Sequence, residues 1–410
     1  MACDIIYMSD NISILDQIIN SKKADEVGSL DAVEIINNLF TELSERERDV
    51  LIRRHGLHSD KKETLESIGS AHQLTRERIR QIETTSIKKL QELQNLKEYI
   101  SALKNVIYQL LDEHGGLMEK EYLLDLLVGF SMDGTQDKNH DSNIHKNYLN
   151  FMITKLLHDE FEEIINHKHF LDSYKVKFKN IEHLEEIAIE LYEKVKDFKD
   201  TQATNKVIEL IKELESFRKH EEKLAIQSNL DIARFLEDPH FNEDTDIINE
   251  HKPLYALVKS HKKINQNKFG HWGTHNSREI KPRTINDKIY LVLKNNAKPM
   301  HFAEIAEKIN NVGFDHRKAN PATVHNELIL DKKYVLVGRG LYALKEWGYT
   351  KGTVVDVIVE ILNNSEQPLK REEIIDQVLE SRVVKKATII LALMNKDKFS
   401  KVNGRYILNS

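Results

Sequence analysis

The chain has 410 residues, of which 40% are hydrophobic and 31% charged, with six prolines and fifteen glycines. This length predicts roughly two to four domains, and the composition favours a mainly α-helical protein. The single cysteine, Cys3, excludes a disulfide framework and a cysteine-rich zinc site and fits a reducing cytoplasm. The first residues lack the basic start of a signal peptide, and no apolar run is long enough to cross a bilayer, so we expect no membrane partner.

The net charge of −6 hides an uneven distribution along the chain. From Lys281 onward there are 22 lysines and arginines against 15 acids, or +7, which leaves 38 against 51, or −13, before it. Residues 181–250 hold 9 basic and 19 acidic residues, or −10. Nucleic-acid binding requires local positive charge, so the C-terminal third is a candidate DNA surface and the acidic middle is not. Solvated helix faces remain the alternative for each stretch.

The N-terminal part of the chain predicts a series of short helices. Amphipathic helices are expected at Asn11–Asn20 and Leu30–Leu43. Ser44 and Glu47 have the spacing of a capping box, which predicts a third helix that ends at Gly56.

Two further helices predict a helix-turn-helix. Thr64 and Thr75 are the expected N-caps, and Ile79 and Ile82 keep one face of the second helix buried. Two short helices with a short connection, the second polar at its N-terminus, are typical of this DNA-binding motif. In the second helix an arginine can donate to guanine, a glutamate can accept from cytosine and a glutamine can pair with adenine.

The polar residues of this second helix are assigned different roles. Arg76, Glu77 and Gln81 fall on one face, with Arg80 beside them, and are the predicted base readers. Arg78 points elsewhere and is assigned to a phosphate or to a glutamate. The alternative is a solvent-exposed helix whose arginines and glutamates pair with each other. The other expected DNA contacts of the helix are Thr75, Lys88 and Lys89.

The next segment predicts a winged helix. Helices are expected around Val106–Leu111, Tyr122–Val128 and Tyr148–Leu157, and a short hairpin at Phe161–Leu171. Three helices followed by a hairpin are the element order of that fold.

Heptad-spaced apolar residues then run through Ile181–Phe198 and, after a break, through Val207–Phe217. A helical hairpin packed within the chain and a partner-binding coiled coil both fit this pattern. The acidic exterior argues against DNA contact. Leu254–Ile280 is expected to close another small domain.

The C-terminal third contains an internal repeat, in which each copy reads helix, helix, helix, strand, glycine turn, strand. This order predicts two tandem winged helices. The corresponding positions are Pro299 with Pro368, Thr323 with Thr388, Tyr334 with Phe399, and Gly340 with Gly404.

Four motifs between Leu43 and Leu93 occur in a familiar order and spacing. They are Ser44–Arg48, Arg54–Leu57, Thr64–Gly69 and, most specific of all, Thr75–Glu83. Together they resemble region 4 of the bacterial sigma-70 family. The resemblance implies a recognition helix that enters the major groove of the promoter −35 element. It also implies a surface that docks on the flap of the RNA polymerase beta subunit.

Two departures limit this resemblance. Where family members continue with lysine and arginine, this helix has Thr84–Ser86, which predicts weaker phosphate contact and a shallower salt dependence. The basic, aromatic-rich helix that opens the promoter −10 element also has no counterpart before Leu43. We therefore expect that this chain is not a free-standing initiation factor.

The first copy of the repeat has its own family resemblance. Its motifs are Ile289–Lys294, Pro299–Phe302, Ala322–Val324 and Val337–Leu344, with Trp347. They resemble the HARE-type winged helix, which is also found in the delta subunit of bacterial RNA polymerase. Modules of this type bind DNA in some settings and protein in others. The expected phosphate contacts are Thr323, His325, Asn326, Lys332, Lys333 and Arg339 in this copy and Lys385, Lys386 and Arg405 in the other.

Catalysis and cofactor binding find no support in the sequence. His271 and His275 stand four apart, as zinc ligands can, but no third ligand is near them in sequence. Gly338–Gly340 looks like part of a nucleotide-binding glycine pattern, but no helix follows it, so a hairpin turn is expected. We expect no enzymatic activity, no cofactor and no small-molecule substrate.

These segments predict a mainly α, multi-domain array with small β-hairpin wings. The expected domains are a helix-turn-helix domain at 1–100, a winged helix at 101–178, an acidic helical spacer with a small winged-helix-like domain at 179–280, and winged helices at 281–348 and 349–410. The expected function is that of a transcription regulator or sigma-factor-like accessory protein in the bacterial cytoplasm, associated with the nucleoid. Its partners are double-stranded DNA and RNA polymerase. The alternatives are a structural protein that bridges DNA, or the DNA-targeting subunit of a restriction or defence system.

Overall fold

The computed structural model describes residues 32–58, 61–94, 96–131, 142–226, 229–236, 240–241, 243–349, 352–365 and 367–409. The helix expected at Asn11–Asn20 lies outside the described residues. The chain forms two compact units: one extends to Gln266 and includes Gly270–His275, and the other comprises Asn267–Phe269 and the residues from Asn276 onward. The expected fold class, mainly α with small antiparallel sheets, is confirmed. Every helix among the described residues is too short or too polar to cross a lipid bilayer.

The first unit begins with the helices of the predicted helix-turn-helix. The Ser44–Glu47 capping box is present, and Gly56 ends the following helix in the left-handed conformation, with φ 66°. The side chains of Thr64 and Thr75 cap the next two helices, as predicted from their position. The four helices are α1 (Ala32–Phe40), α2 (Glu45–His55), α3 (Leu65–His72) and α4 (Arg76–Gln91).

A winged-helix arrangement follows. Its three-stranded antiparallel sheet has the order β1–β3–β2, with two helices between β1 and β2. Its third helix continues beyond Phe151 as a π-helical turn, Met152–Leu156. The elements are α5 (Leu96–Glu113), β1 (Leu117–Glu119), α6 (Lys120–Ser131), α7 (Ser142–Phe151), β2 (Phe161–Ile164) and β3 (Ser173–Val176).

The hairpin expected within Phe161–Leu171 is wrong in its second strand. β2 pairs with β3, so that Phe161 lies opposite Val176, beyond the predicted bounds. The segment before β3 bonds elsewhere, because Phe170 is buried and the Leu171 amide donates to the Ser260 carbonyl at 2.8 Å.

The acidic segment folds into helices that complete the first unit. The apolar residues of its heptad pattern, among them Leu184, Leu191 and Val207, are buried in the same hydrophobic core as those of the helix-turn-helix and the winged helix. The seam therefore packs within the chain. The three segments expected as separate domains up to residue 280 all contribute to this core. The elements are α8 (Glu182–Val195), α9 (Thr204–Glu213), α10 (Glu215–Leu224), α11 (Thr245–Glu250), α12 (Lys252–Ser260), β4 (Ile264–Gln266) and β5 (Trp272–Thr274).

A buried ion pair lies inside this first unit. The amino group of Lys252, which is 0% exposed, lies 2.6 Å from a carboxylate oxygen of Glu113, which is 4% exposed. The same carboxylate accepts from the side chain of Gln109 and the amide of Leu230. Burial lowers the pKa of Lys252, and the hydrogen bond to Glu113 opposes that shift.

The second unit consists of two winged helices in tandem. The first has the sheet order β6–β8–β7, and in the second Leu369 forms a bridge to Tyr406 beside the hairpin. This matches the element order expected from the repeat. The first copy comprises α13 (Ile285–Asn296), β6 (Met300–His301), α14 (Phe302–Val312), α15 (Pro321–Leu330), β7 (Tyr334–Gly338) and β8 (Leu341–Leu344). The second comprises α16 (Val354–Asn364), α17 (Arg371–Ser381), α18 (Lys386–Leu393), β9 (Phe399–Val402) and β10 (Arg405–Leu408).

The two copies are joined at the outer edge of β7. The connection after α17 donates to this strand, from the Val383 amide to the Val337 carbonyl at 3.3 Å and from Arg382 Nη1 to the Leu336 carbonyl at 2.9 Å. Arg382 is only 5% exposed and also donates to the Gly352 carbonyl. The second copy thus caps an edge strand of the first, which would otherwise present unpaired backbone groups.

Candidate nucleic-acid interface

The α3–α4 pair is held at a fixed angle by a small core and a tight turn. Val50, Ile68 and Ile79 are fully buried against one another. The chain turns at Gln73, whose φ is 55°, and the Leu74 amide donates to the Gly69 carbonyl at 2.9 Å. A Cβ at Gly69 would lie only 2.7 Å from the Leu74 carbonyl oxygen, so only glycine allows α3 to approach the turn this closely.

The outward face of α4 presents the predicted base readers. Ile79, Ser86 and Leu90 are buried on one side of the helix. The exposed side chains at its N-terminal half are Arg76, Glu77, Arg78, Arg80 and Gln81. The structure thus brings the sequence-predicted residues together on one accessible surface.

Several of these side chains pair with each other along the helix. Two guanidinium nitrogens of Arg80 donate to the carboxylate of Glu77, at 2.9 and 2.7 Å. Arg78 Nη1 donates to Gln81 Oε1 at 3.2 Å. The hydrogen bond from Arg80 holds the pKa of Glu77 below its usual range. Exposed pairs of this kind contribute little to stability, so they can exchange for contacts to bases.

The two lysines at the end of α4 also contact carboxylates. Lys89 Nζ lies 3.4 Å from Glu47, and Lys88 Nζ lies 3.7 Å from Glu92. These pairs reduce the positive charge that the C-terminal half of the helix offers to phosphates.

The opposite face of the helix-turn-helix is covered by the first winged helix. The Phe151 ring lies edge-on to Phe40, with centroids 6.1 Å apart, and 4.8 Å from the His55 ring. The Asn147 side chain donates to the Gly56 carbonyl at 2.9 Å, and the Gln91 side chain donates to the Lys155 carbonyl at 2.6 Å. In a winged helix, α7 is the helix in the position that reads DNA; here it supports α1 and α2.

Sequence reasoning missed this burial, although a signal was present. Tyr148, Leu149, Phe151, Met152 and Ile153 are each at most 1% exposed, so the segment is apolar around most of its circumference, with Asn150 as the polar exception. A helix that is hydrophobic on nearly every side is a buried one.

In the first tandem copy, the predicted phosphate contacts divide into two groups. His325 lies between the rings of Phe302 and Tyr342, with centroids at 4.6 and 5.9 Å, and is therefore a packing residue. Lys333 pairs with Asp331 at 3.4 Å and lies over two tyrosine rings. The remaining predicted contacts are exposed: Thr323, Asn326, Lys332 and Arg339. Arg339 occupies the turn between β7 and β8, where the hairpin turn was expected.

In the second copy, Lys385 and Lys386 are exposed at the start of α18. Arg405 is less free, because its Nη1 donates to the Pro368 carbonyl at 3.1 Å. Apart from Thr388, the rest of α18 is apolar.

The third helices of both tandem copies expose apolar side chains. The exposed fractions are 61% for Ile329, 76% for Leu330, 70% for Leu391 and 66% for Met394. Neither α15 nor the part of α18 after Lys386 contains a lysine or an arginine. Apolar side chains on an exposed helix favour contact with a protein over contact with phosphates.

His271 and His275 stand four residues apart, as zinc ligands can. In the portion of the chain that the structure describes, no group of three histidine, cysteine or acidic side chains is placed to hold a metal ion.

The helices α3 and α4 have the geometry of a helix-turn-helix, and comparison with known proteins shows what this segment is similar to. Residues 39–92 match the family model for sigma-70, region 4. The RNA polymerase sigma factor SigA of Microcystis aeruginosa is 47% identical over 79 residues, which cover 18% of this chain and 19% of that protein. The sigma factor RpoS of Coxiella burnetii is 36% identical over 84 residues, covering 20% and 24%.

The predicted region-4 domain is therefore confirmed within the segment 39–92. The chain spans about a fifth of the length of the curated relatives that it matches. No solved structure matches the chain.

Proposed function

We propose that this chain is a non-enzymatic transcription regulator that reads a −35-like DNA element through α4 and contacts RNA polymerase. The observation that supports DNA reading is the exposed face of α4, where Arg76, Glu77 and Gln81 stand together within the matched region-4 segment. Arginine, glutamate and glutamine have the donors and acceptors required to distinguish base edges in the major groove. The chain acts in the bacterial cytoplasm on nucleoid DNA.

The polymerase contact is supported by the relatives, whose names are RNA polymerase sigma factors. The docking site on the beta-subunit flap is part of this proposal. Within 32–58 and 61–94 no large apolar side chain is exposed, because α1, α2 and the end of α4 pack on the first winged helix. A flap contact at the helix-turn-helix is therefore polar in character.

A binding assay with matched duplexes tests the DNA proposal. The full chain should bind a −35-like duplex more tightly than a duplex of the same length with that element scrambled. Equal affinity for both would contradict base reading. A second assay tests the polymerase contact. Core RNA polymerase should be retained on the immobilised chain, and free sigma region 4 should compete it off.

The tandem winged helices, which we assign to the HARE type, add phosphate contacts in this proposal. If Lys332, Lys333 and Arg339 each neutralise one phosphate, replacing all three by alanine should flatten the log–log salt dependence of affinity by roughly 2.7. Sequence preference should not change. The same triple replacement leaves the α4 surface intact and so separates the two modes of binding.

A second candidate role for these modules is protein binding, favoured by the exposed Ile329, Leu330, Leu391 and Met394. Under this role the triple replacement leaves the salt dependence unchanged. Replacing Leu330 and Leu391 by serine would instead weaken retention of polymerase. The two roles therefore predict different outcomes for the same purified protein.

A further inference from the structure

Three consecutive hydroxyl residues, Thr84, Thr85 and Ser86, occupy the middle of α4. Ser86 is buried, whereas both threonines are exposed. The Thr84 hydroxyl donates to the Arg80 carbonyl at 2.9 Å, and the Thr85 hydroxyl donates to the Gln81 carbonyl at 2.8 Å. Because each hydroxyl is bonded to the backbone of its own helix, the methyl group is the part of each threonine that is left for a contact with a ligand.

Thr84 lies on the outward face of α4 together with the predicted base readers. It follows Gln81 by three residues, Arg80 by four and Glu77 by seven, so it continues their face by one more turn. The step from Gln81 to Thr84 is about 4.5 Å along the helix axis, little more than the ~3.4 Å between successive base pairs. Thr85 is rotated by a further 100° or so and lies at the edge of this face.

The surroundings of Thr84 do not favour a phosphate contact. There is no lysine or arginine between Gln81 and Lys88. The neighbouring Glu83 is turned inward, with its carboxylate 3.3 Å from His55 Nε2. An uncharged methyl group on the base-reading face is instead suited to apolar contact in the major groove. There, the methyl group that a standard base presents is the C5-methyl of thymine.

We propose that Thr84 selects thymine through contact between its methyl group and the C5-methyl of a base next to the one read by Gln81. The inference rests on the proposed function, because α4 must lie in the major groove for this contact to form. It gives a role to the departure at Thr84–Ser86: where lysine and arginine would grip phosphates, this helix gains a contact to a base edge.

The test uses the full chain and duplexes that differ by a single methyl group. In the −35-like duplex each thymine is replaced in turn by deoxyuridine, and each cytosine by 5-methylcytosine. Because every base pair contains one pyrimidine, the two series together probe every position. Fluorescence anisotropy measures each affinity, and a scrambled duplex controls for base reading.

Two variants separate the methyl group of Thr84 from its hydroxyl. Thr84→Ser keeps the hydroxyl and removes the methyl group, whereas Thr84→Val keeps a methyl group at that place and removes the hydroxyl. Thr85→Ser is the matched control, because Thr85 is exposed and makes the same type of hydrogen bond at the edge of the face. Thermal unfolding confirms that each variant is folded, and the scan with the unmodified chain depends on no variant.

We expect the unmodified chain to gain about fourfold in affinity from one methyl group, as the burial of a single methyl group predicts. This position should be adjacent to the base pair at which Gln81→Ala relaxes sequence preference. Thr84→Ser should abolish the sensitivity to that methyl group, and Thr84→Val and Thr85→Ser should retain it.

Preference for the −35-like duplex without sensitivity to any single methyl group would overturn the role of Thr84 and leave the proposed function intact. Sensitivity that persists in Thr84→Ser, or that is lost in Thr85→Ser instead, would also overturn it. Equal affinity of the unmodified chain for the −35-like and scrambled duplexes would refute base reading itself, and this inference with it.

Discussion

Replacing Gly69 by alanine tests the helix-turn-helix geometry. The sign of the resulting change in unfolding free energy shows whether α3 approaches the turn closely. In the interior of a helix, replacing glycine by alanine normally stabilises the protein by about 0.5–1 kcal/mol. At Gly69 the added Cβ would lie 2.7 Å from the Leu74 carbonyl oxygen and 3.6 Å from the Arg76 amide nitrogen. Because the close atom belongs to the backbone, the turn itself must move.

Overpacking of this kind costs about 1–3 kcal/mol. Subtracting the helical gain leaves Gly69→Ala destabilising by about 1 kcal/mol. The turn leads directly into Thr75, the N-cap of α4, so its displacement also shifts the base-reading residues. We therefore expect affinity for a −35-like duplex to fall by about tenfold, which corresponds to roughly 1.4 kcal/mol.

Thermal unfolding and fluorescence anisotropy of the full chain measure the two effects. Ser70→Ala is the matched control, because Ser70 is exposed on the same helix and its hydroxyl donates to the Glu66 carbonyl of that helix, at 3.0 Å. It should change neither quantity appreciably. A higher melting temperature for Gly69→Ala, with unchanged DNA affinity, would refute the close approach of α3 to the turn.

Three further predictions follow from the same structure. Arg76→Ala or Gln81→Ala should cost about 1–3 kcal/mol on a −35-like duplex and relax sequence preference there, whereas an equal loss on random duplex would show that these residues are not readers. Lys252→Met leaves Glu113 buried without its cation and should lower the free energy of unfolding by about 3–5 kcal/mol, measured by urea titration. Adding Glu113→Leu should restore much of that lost stability. Arg382→Ala removes the donor to the Leu336 carbonyl of β7 and to the Gly352 carbonyl. It should accelerate hydrogen exchange at the junction of the tandem copies, and unchanged exchange there would contradict its joining role.

The local structure of the candidate site could be predicted because its signals are short-range. Ser44, Thr64 and Thr75 are followed by helices because each side chain caps amides within three residues. The spacing of Ile79 and Gln81 then assigns one to the core and the other to the surface. The order of helices and strands in the C-terminal repeat is likewise visible in its glycine turns and apolar periodicity.

Contacts between distant segments were decided only by the tertiary structure. The burial of Phe151 against Phe40, the packing of the acidic heptad seam into the core, and the partner of β2 each depend on residues far apart in the chain. The same holds for charge: Lys333 has Asp331 and two rings as neighbours, while Lys252 is buried beside Glu113. A sequence gives the number of charges and their order, but whether a lysine is paired and buried or left exposed depends on which side chains folding places around it.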